Sequence, residues 1–279
     1  MQESSLFISY GNSDVGRVRT NNEDSYLYKT FSIKDNGAPD AFLMVVADGM
    51  GGHAAGEVAS AKVIEELDNN IDVESLENLP YILKEIIAEA NEKIFQISAE
   101  NSDLNGMGTT CTAMIYYNEQ VHLAHVGDSR AYLIREKEIS RLSKDHTVVQ
   151  ELLEAGTITE EKARTIPERN ILLRAVGTSQ QLEVDVYPPL DAVGGDIFLL
   201  CSDGLTEYLY EEEIQETIAS FPLENVCDEL IRIANDRGGA DNITVQLAML
   251  REKNKIRKAR QILKIFKNML FDDSVGTNK

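Results

Sequence analysis

Phe42–Ala47 (FLMVVA) is an unbroken apolar run, the pattern of a short strand buried on both faces. Similar runs predict strands at Thr109–Tyr117, Val121–Val126, Ala131–Arg135, Leu182–Tyr187, Ile197–Cys201 and Thr244–Leu250. Polar steps such as Asn118-Glu119-Gln120 predict the turns between them. Elsewhere a helical period takes over. Val58, Ala61, Ile64 and Leu67 predict a helix over Ala54–Leu67. Ile82, Leu83, Ile86, Ile87, Ala90, Ile94 and Phe95 predict a long amphipathic helix after Pro80. Two more helices are predicted at Glu211–Ser220 and Leu223–Asn235. Val148–Arg174 keeps neither period and is expected to form short helices with irregular joints, an insertion between strands. The first half thus reads strand, strand, helix, helix. Strands group with strands and helices with helices, which predicts an α+β layered fold.

Beyond residue 250 the pattern changes. Ile256, Ala259, Leu263, Phe266 and Leu270 recur at helical spacing, with Lys253, Arg257, Arg260, Lys264 and Lys267 in a stripe about 100° round the helix. The expected organisation is one body, residues 1–250, and a basic amphipathic tail, 251–279. The tail is read either as a last helix packed on the body or as a contact for a membrane surface or an acidic partner. Charge separates the two parts. Residues 251–279 hold nine basic and three acidic residues, a net +6, so a chain of net −20 leaves −26 for the body. Such a body repels a phosphate backbone, which excludes nucleic acid as its partner.

The chain has 279 residues, 43% hydrophobic and 27% charged, the balance of a globular protein. No apolar run is long enough to span a bilayer, and MQESSLFISYGNSD has no signal-peptide pattern, so a cytoplasmic monomer is expected. Three cysteines without CxxC spacing, Cys111, Cys201 and Cys227, are read as small buried hydrophobes. The sequon Asn242-Ile243-Thr244 is read as accidental.

The chemistry begins where the Phe42 run ends. Asp48 is followed by four glycines among residues 49–56 and then by a helical pattern. Gly49-Met50-Gly51-Gly52-His53-Ala54 fits GxGxxA, a dinucleotide fingerprint that is weak alone. Asp48 argues against that reading, because a carboxylate would face the pyrophosphate. The same local design recurs: Asp128 beside Gly127, Asp203 beside Gly204, and Asp241 two residues after Gly239, each at a strand end. One Asp-Gly step is a common hairpin turn. Four of them at neighbouring strand ends would converge, repel one another and call for a hard divalent cation. All-oxygen ligation without a DxDxDG loop favours Mg²⁺ or Mn²⁺ over zinc or calcium. Upstream, Arg19 is a candidate bidentate phosphate ligand, and Glu23 and Asp24 add acid near the metals.

RTNNED, ADGMGGH, GTT (Gly108–Thr110), GDSRAYL, SKDHT, CSDGLTE and GADNITV stand in one order over about residues 5–250. This series resembles the metal-dependent type 2C serine/threonine protein phosphatases, bacterial branch. The resemblance implies a four-layer α-β-β-α sandwich with two to three Mn²⁺ or Mg²⁺ ions at one edge. It implies Asp48 as bridging ligand, the Gly49 carbonyl on one metal, and Asp203 and Asp241 on the other. Glu23 and Asp24 would act through water, Asp128 with Asp203 at a third metal, and Arg19 on the phosphate. Residues 148–176 correspond to the flap beside the cleft. The implied reaction is hydrolysis of phosphoserine or phosphothreonine in proteins by direct attack of a metal-bridging hydroxide, opposing bacterial serine/threonine kinases. Met50 stands where eukaryotic members have a histidine proposed as general acid. That role is left to His53, His146 or a metal-bound water. His122 and His125 are three apart in a strand, hence on opposite faces, and are read as structural. A binding module without catalysis would be favoured by a missing ligand, and none is missing.

Overall fold

The computed structural model describes residues 6–32, 40–51, 55–71, 78–167 and 169–252; the predicted basic tail from residue 253 on and His53 lie outside them. Three strands come first: β1 (Phe7–Asp14), β2 (Asp24–Phe31) and β3 (Ala41–Met50). Helices α1 (Ala55–Asn70) and α2 (Leu79–Glu100) follow. Then come β4 (Gly108–Thr109), β5 (Cys111–Tyr117), β6 (Gln120–Val126), β7 (Arg130–Arg135) and β8 (Glu138–Arg141). The insertion holds α3 (Val148–Glu154) and α4 (Glu160–Thr165). The chain closes with β9 (Asp185–Val186), β10 (Leu190–Asp191), β11 (Ile197–Cys201), α5 (Asp203–Thr206), α6 (Glu211–Ser220), α7 (Leu223–Asp236) and β12 (Ile243–Leu250).

The strands form two antiparallel sheets. One runs β1-β12-β11-β7-β8 and the other β10-β6-β5-β3-β2, with β4 on β3 and β9 on β6. Each face finds a partner layer. Leu43 and Val45 of β3 pack against α1 and α2 through Ala59, Val63, Leu83 and Ile87. Phe42, Met44 and Val46, pointing the other way, meet Phe198, Leu200 and Ala248 of the facing sheet. The outer face of that sheet, through Leu199, Val245 and Leu247, packs on Ile214, Val226 and Leu230 of α6 and α7. The order is α-β-β-α, the expected sandwich. It also explains why β3 reads as a continuous apolar run: neither of its faces meets water.

Two sequence expectations need correction. Strand pairing within Leu182–Tyr187 is confined to Asp185–Val186. Pro188 and Pro189 have no N–H for a ladder, and pairing resumes at Leu190. A strand before β2 was also missing from the predicted order. β1 alternates poorly because much of it is only partly buried, yet it pairs along its whole length with β12.

Phe42 is fully buried between the sheets, 4.9 Å from Phe7, 5.9 Å from Tyr28 and 5.3 Å from Tyr116, ring centre to ring centre. Phe42→Ala should lower unfolding free energy by about 3–5 kcal/mol, read as an earlier urea midpoint with an unchanged slope.

Candidate metal centre

Antiparallel pairing decides where the aspartates lie. β2 begins where β3 ends, with Asp24 opposite Asp48 in register. β11 ends where β12 and β7 begin, with Cys201 opposite Val245 and Arg130. Asp203 follows β11, Asp241 precedes β12 and Asp128 precedes β7, so all five carboxylates gather at one end of the sandwich. Asp24 and Asp128 are buried; Asp48, Asp203 and Asp241 keep a rim of exposed surface.

The electrostatics show how tightly they crowd. Burial pushes the Asp48 carboxyl well above the ordinary range, and Asp24, Asp203, Asp128 and Asp241 push it further. Burial and the Asp241 and Asp24 charges raise Asp203 to about 7. Burial raises Asp24 to about 6, against hydrogen bonds from Thr244 and Ser202 that hold it lower. Asp128 is raised by burial and by Asp203 and Asp145, with Arg130 opposing. Among the described residues, no three His, Cys, Asp or Glu side chains already stand around one point in ligating geometry. The mutual repulsion nonetheless places these groups within range of one another, and like charges at this depth do not all ionise without a cation. Two buried oxygens, Glu23 Oε1 and Asp24 Oδ1, have no hydrogen-bond partner. Oxygen donors, crowded acids and orphaned carboxylate oxygens together fit hard divalent cations.

Neutral hydroxyls and amides hold the acids in place. Ser202 Oγ and Thr244 Oγ1 both donate to Asp24 Oδ2, at 2.8 and 2.6 Å. Thr110 Oγ1 accepts the Asp48 N–H at 2.9 Å and is 2.7 Å from Ser129 Oγ; Thr109 Oγ1 donates to the Asp48 carbonyl at 2.9 Å. Asp145 accepts Nε and Nη2 of Arg130, one edge of its guanidinium, and Arg141 beside it, which fixes the strand that starts after Asp128. Gly49 is required for close approach: a Cβ there would fall 2.2 Å from the Gly56 carbonyl oxygen and 2.5 Å from that of Glu23. The glycine turn therefore brings the start of α1 and the Glu23 backbone against the end of β3.

Arg19 reaches the cluster, donating to Asp241 Oδ2 at 2.8 Å from a half-exposed position. The insertion reaches it too. Asn170 Nδ2 donates to Asp203 Oδ2 at 3.3 Å, and Arg169 pairs with Glu207 at the end of α5. The expected flap therefore touches the site. His146 does not serve as a proton donor. Its Nδ1 accepts the Gly127 N–H at 3.1 Å, and Nε2, which then carries the proton, donates to Asp185 Oδ2 at 3.1 Å. His125 is likewise engaged, with Nε2 3.0 Å from the Gly127 carbonyl and Nδ1 2.9 Å from Thr112 Oγ1, and burial lowers it to about 3. His122 has an unpartnered Nδ1 but lies at a buried strand position three residues upstream. The three cysteines are buried in the core layers, as expected.

Sequence reasoning missed Ser202, Thr244, Asn242 and Asn170. Ser202 and Thr244 left a signal, polar residues at the ends of apolar strand runs. Asn242 and Asn170 left none. The sequon is closed to glycosylation, since Asn242 is buried and its amide is fully hydrogen-bonded. Two surface grooves of 380 Å³ lie away from the acids. One is beside Tyr81, Lys84 and Val186, the other beside Leu6, Val193 and Glu252. Neither is lined by a residue of the cluster.

Residues 8–167 match the family described as protein phosphatase 2C. Serine/threonine phosphatase stp of Listeria welshimeri is 41% identical over 254 residues, 89% of this chain and 96% of that protein. Protein phosphatase PhpP of Streptococcus pneumoniae is 36% identical over 248 residues, 87% of this chain and 97% of that protein. Among solved structures, the Mycobacterium tuberculosis serine/threonine phosphatase PstP/Ppp superposes with a TM-score of 0.79 at 38% identity, covering 88% of this chain and 99% of that one. The catalytic domain of PstP in complex with two manganese ions superposes at 0.77 with 36% identity, covering 88% and 99%. By sequence and by fold, the chain belongs to the protein phosphatase 2C family.

Proposed function

We propose that the chain is a metal-dependent serine/threonine protein phosphatase. The observation that carries the reading is the convergence of Asp24, Asp48, Asp128, Asp203 and Asp241 at one sheet end, with Arg19 beside them. Relatives named serine/threonine phosphatase support it. The substrates would be phosphoserine and phosphothreonine proteins, the products of serine/threonine kinases. The catalytic body would be residues 1–250, ending with β12 at Leu250, followed by the basic stretch 251–279. Among the described residues, no helix is long and apolar enough to cross a membrane.

Asp48, the Gly49 carbonyl, Asp203 and Asp241 would hold two divalent ions, Mn²⁺ or Mg²⁺. Asp128 with Asp203 would hold a third, and Glu23 and Asp24 would act through water. Bound there, such ions supply Lewis acidity: they make water a nucleophile near neutral pH and offset charge on a phosphoryl group. The chain's own residues do the positioning. Arg19 exchanges its Asp241 partner for phosphoryl oxygens and orients the phosphate. Ser202 and Thr244 pin one oxygen of Asp24, so the other faces the cluster. No described histidine offers a donor to the leaving group, and Met50 has no proton to give, so of the three candidates water and His53, which lies outside the described residues, remain. Thiol chemistry has no place here. Burial pushes Cys201 and Cys227 up to about 12 and Cys111 higher still, so none is a nucleophilic thiolate at neutral pH.

A phosphothreonine peptide should release phosphate with Mn²⁺ and none with EDTA, and Asp48→Asn should reduce turnover by at least roughly 100-fold, the upper figure for losing a group that only supports a metal ligand. Release that persists in EDTA would remove the metal-dependent reading.

The raised carboxyls also set a pH dependence. A buried acid whose folded value exceeds its unfolded value of about 3.9 adds stability below that value and loses it as pH rises through the folded value. For Asp24 and Asp203 the loss runs to about pH 6 and about pH 7. In EDTA, Asp203→Asn, which removes the charge and keeps the shape, should gain Tm relative to the unaltered chain as pH goes from 5 to 8. Melting curves at the two pH values read the difference. A constant gap would count against crowding at Asp203.

A further inference from the structure

Residues 15–23 join β1 to β2 and contain no helix or strand, yet they bear Arg19 and Glu23. One side chain organises the segment. Asn242 Nδ2 donates to the carbonyls of Val15 and Asn21, at 3.0 and 2.9 Å, and its Oδ1 accepts the Glu23 N–H at 2.8 Å. Both amide protons and the oxygen are spent on a single loop, by a residue only 5% exposed. Asn242 directly follows Asp241, whose carboxylate holds Arg19. The same short piece of backbone therefore provides Arg19 with its partner and the loop with its frame.

The surroundings leave this piece little freedom. A Cβ on Gly16 would fall 2.2 Å from the Asp241 carbonyl oxygen, and one on Gly204 would fall 2.0 Å from that of Asn242. Backbone is pressed against residues 241–242 from both sides. The Arg17 N–H donates to the Gly239 carbonyl at 2.7 Å, and Asn235 Nδ2 donates to Asp14 Oδ1 at 3.0 Å. These anchor the start of the loop. Among the described residues, the Asn242 amide is the only group on the β12 side that fixes a main-chain atom between Arg17 and Glu23, while Ser60 Oγ and the Gly49 N–H hold the Glu23 carbonyl from the α1 and β3 side.

We propose that Asn242 is the positioning residue for phosphate recognition: it sets Arg19 and Glu23 against Asp241 and so determines how tightly the phosphoryl group is held. The proposal rests on the phosphatase reading above. With both amide protons given to the Val15 and Asn21 carbonyls, the amide has none left for a phosphate. It acts through the loop, because an Arg19 anchored on a loose loop pays ordering entropy each time it closes on an anion.

The test uses the full chain with Mn²⁺ and four variants: Asn242→Ala, the similarly sized Asn242→Leu, Arg19→Ala, and Arg19→Ala with Asn242→Ala. Inorganic phosphate is the probe, its dissociation constant read by calorimetry alongside KM and kcat on a phosphothreonine peptide. Both Asn242 variants should weaken phosphate binding and raise KM roughly tenfold, with kcat changing less. The double variant should bind phosphate no more weakly than Arg19→Ala, the non-additivity expected when one residue works through another. Additive losses would overturn the proposal. So would unchanged phosphate affinity with only a lower Tm, or a failure of both Asn242 variants to fold, since either makes the amide a stability element alone. If the unaltered chain neither binds phosphate nor hydrolyses the peptide, the phosphatase reading falls first, and this proposal with it.

Discussion

Carboxylates buried together repel, and the cost grows as water is excluded. In this protein Asp24, Asp48, Asp128 and Asp203 are all driven above the ordinary carboxylate range by burial, and carboxylate neighbours add to the push on each of them. A stable fold does not assemble such a group for its own sake. Protons relieve the repulsion at low pH, and hard divalent cations relieve it at neutral pH while remaining available for chemistry. The hydroxyls of Ser202, Thr244, Thr109 and Thr110 hold the acids and their backbone without adding charge.

The sandwich makes this crowding affordable. Three apolar layers of packing, two beneath helices and one between sheets, fix the strands that end in the aspartates. Antiparallel registers then bring the end of β3 to the start of β2, and the end of β11 to the starts of β12 and β7. Close backbone contacts at Gly49 and Gly204 let neighbouring segments approach where any side chain would collide. Rigidity of the core and closeness at the edge are the same arrangement seen at two depths.

Much of this was legible in the sequence because the relevant signals are local. The continuous apolar run of β3 marks a strand without a wet face, and aspartates within two residues of a glycine at four strand ends mark all of the cluster but Asp24. β1 was not legible. Its pattern is blurred by partial exposure, and its identity depends on pairing with β12, more than 200 residues away in sequence. The short pairing at Asp185–Val186 was over-read as a longer strand because hydrophobic residues there pack without joining a ladder. Asn242 was read as part of an accidental sequon, since nothing local shows that its amide reaches back to Val15, Asn21 and Glu23. Asn170 was hidden for the same reason. His146 looked available by its place in the chain, and only the fold shows both ring nitrogens engaged.

The central claim is that the carboxylate cluster exchanges protons for divalent cations. Calorimetric titration with Mn²⁺ at pH 6.5, repeated in buffers of different ionisation enthalpy, measures that exchange directly. Binding accompanied by proton release, seen as heats that scale with buffer ionisation enthalpy, is the predicted result. Absence of binding, or binding with heats indifferent to the buffer, would contradict it.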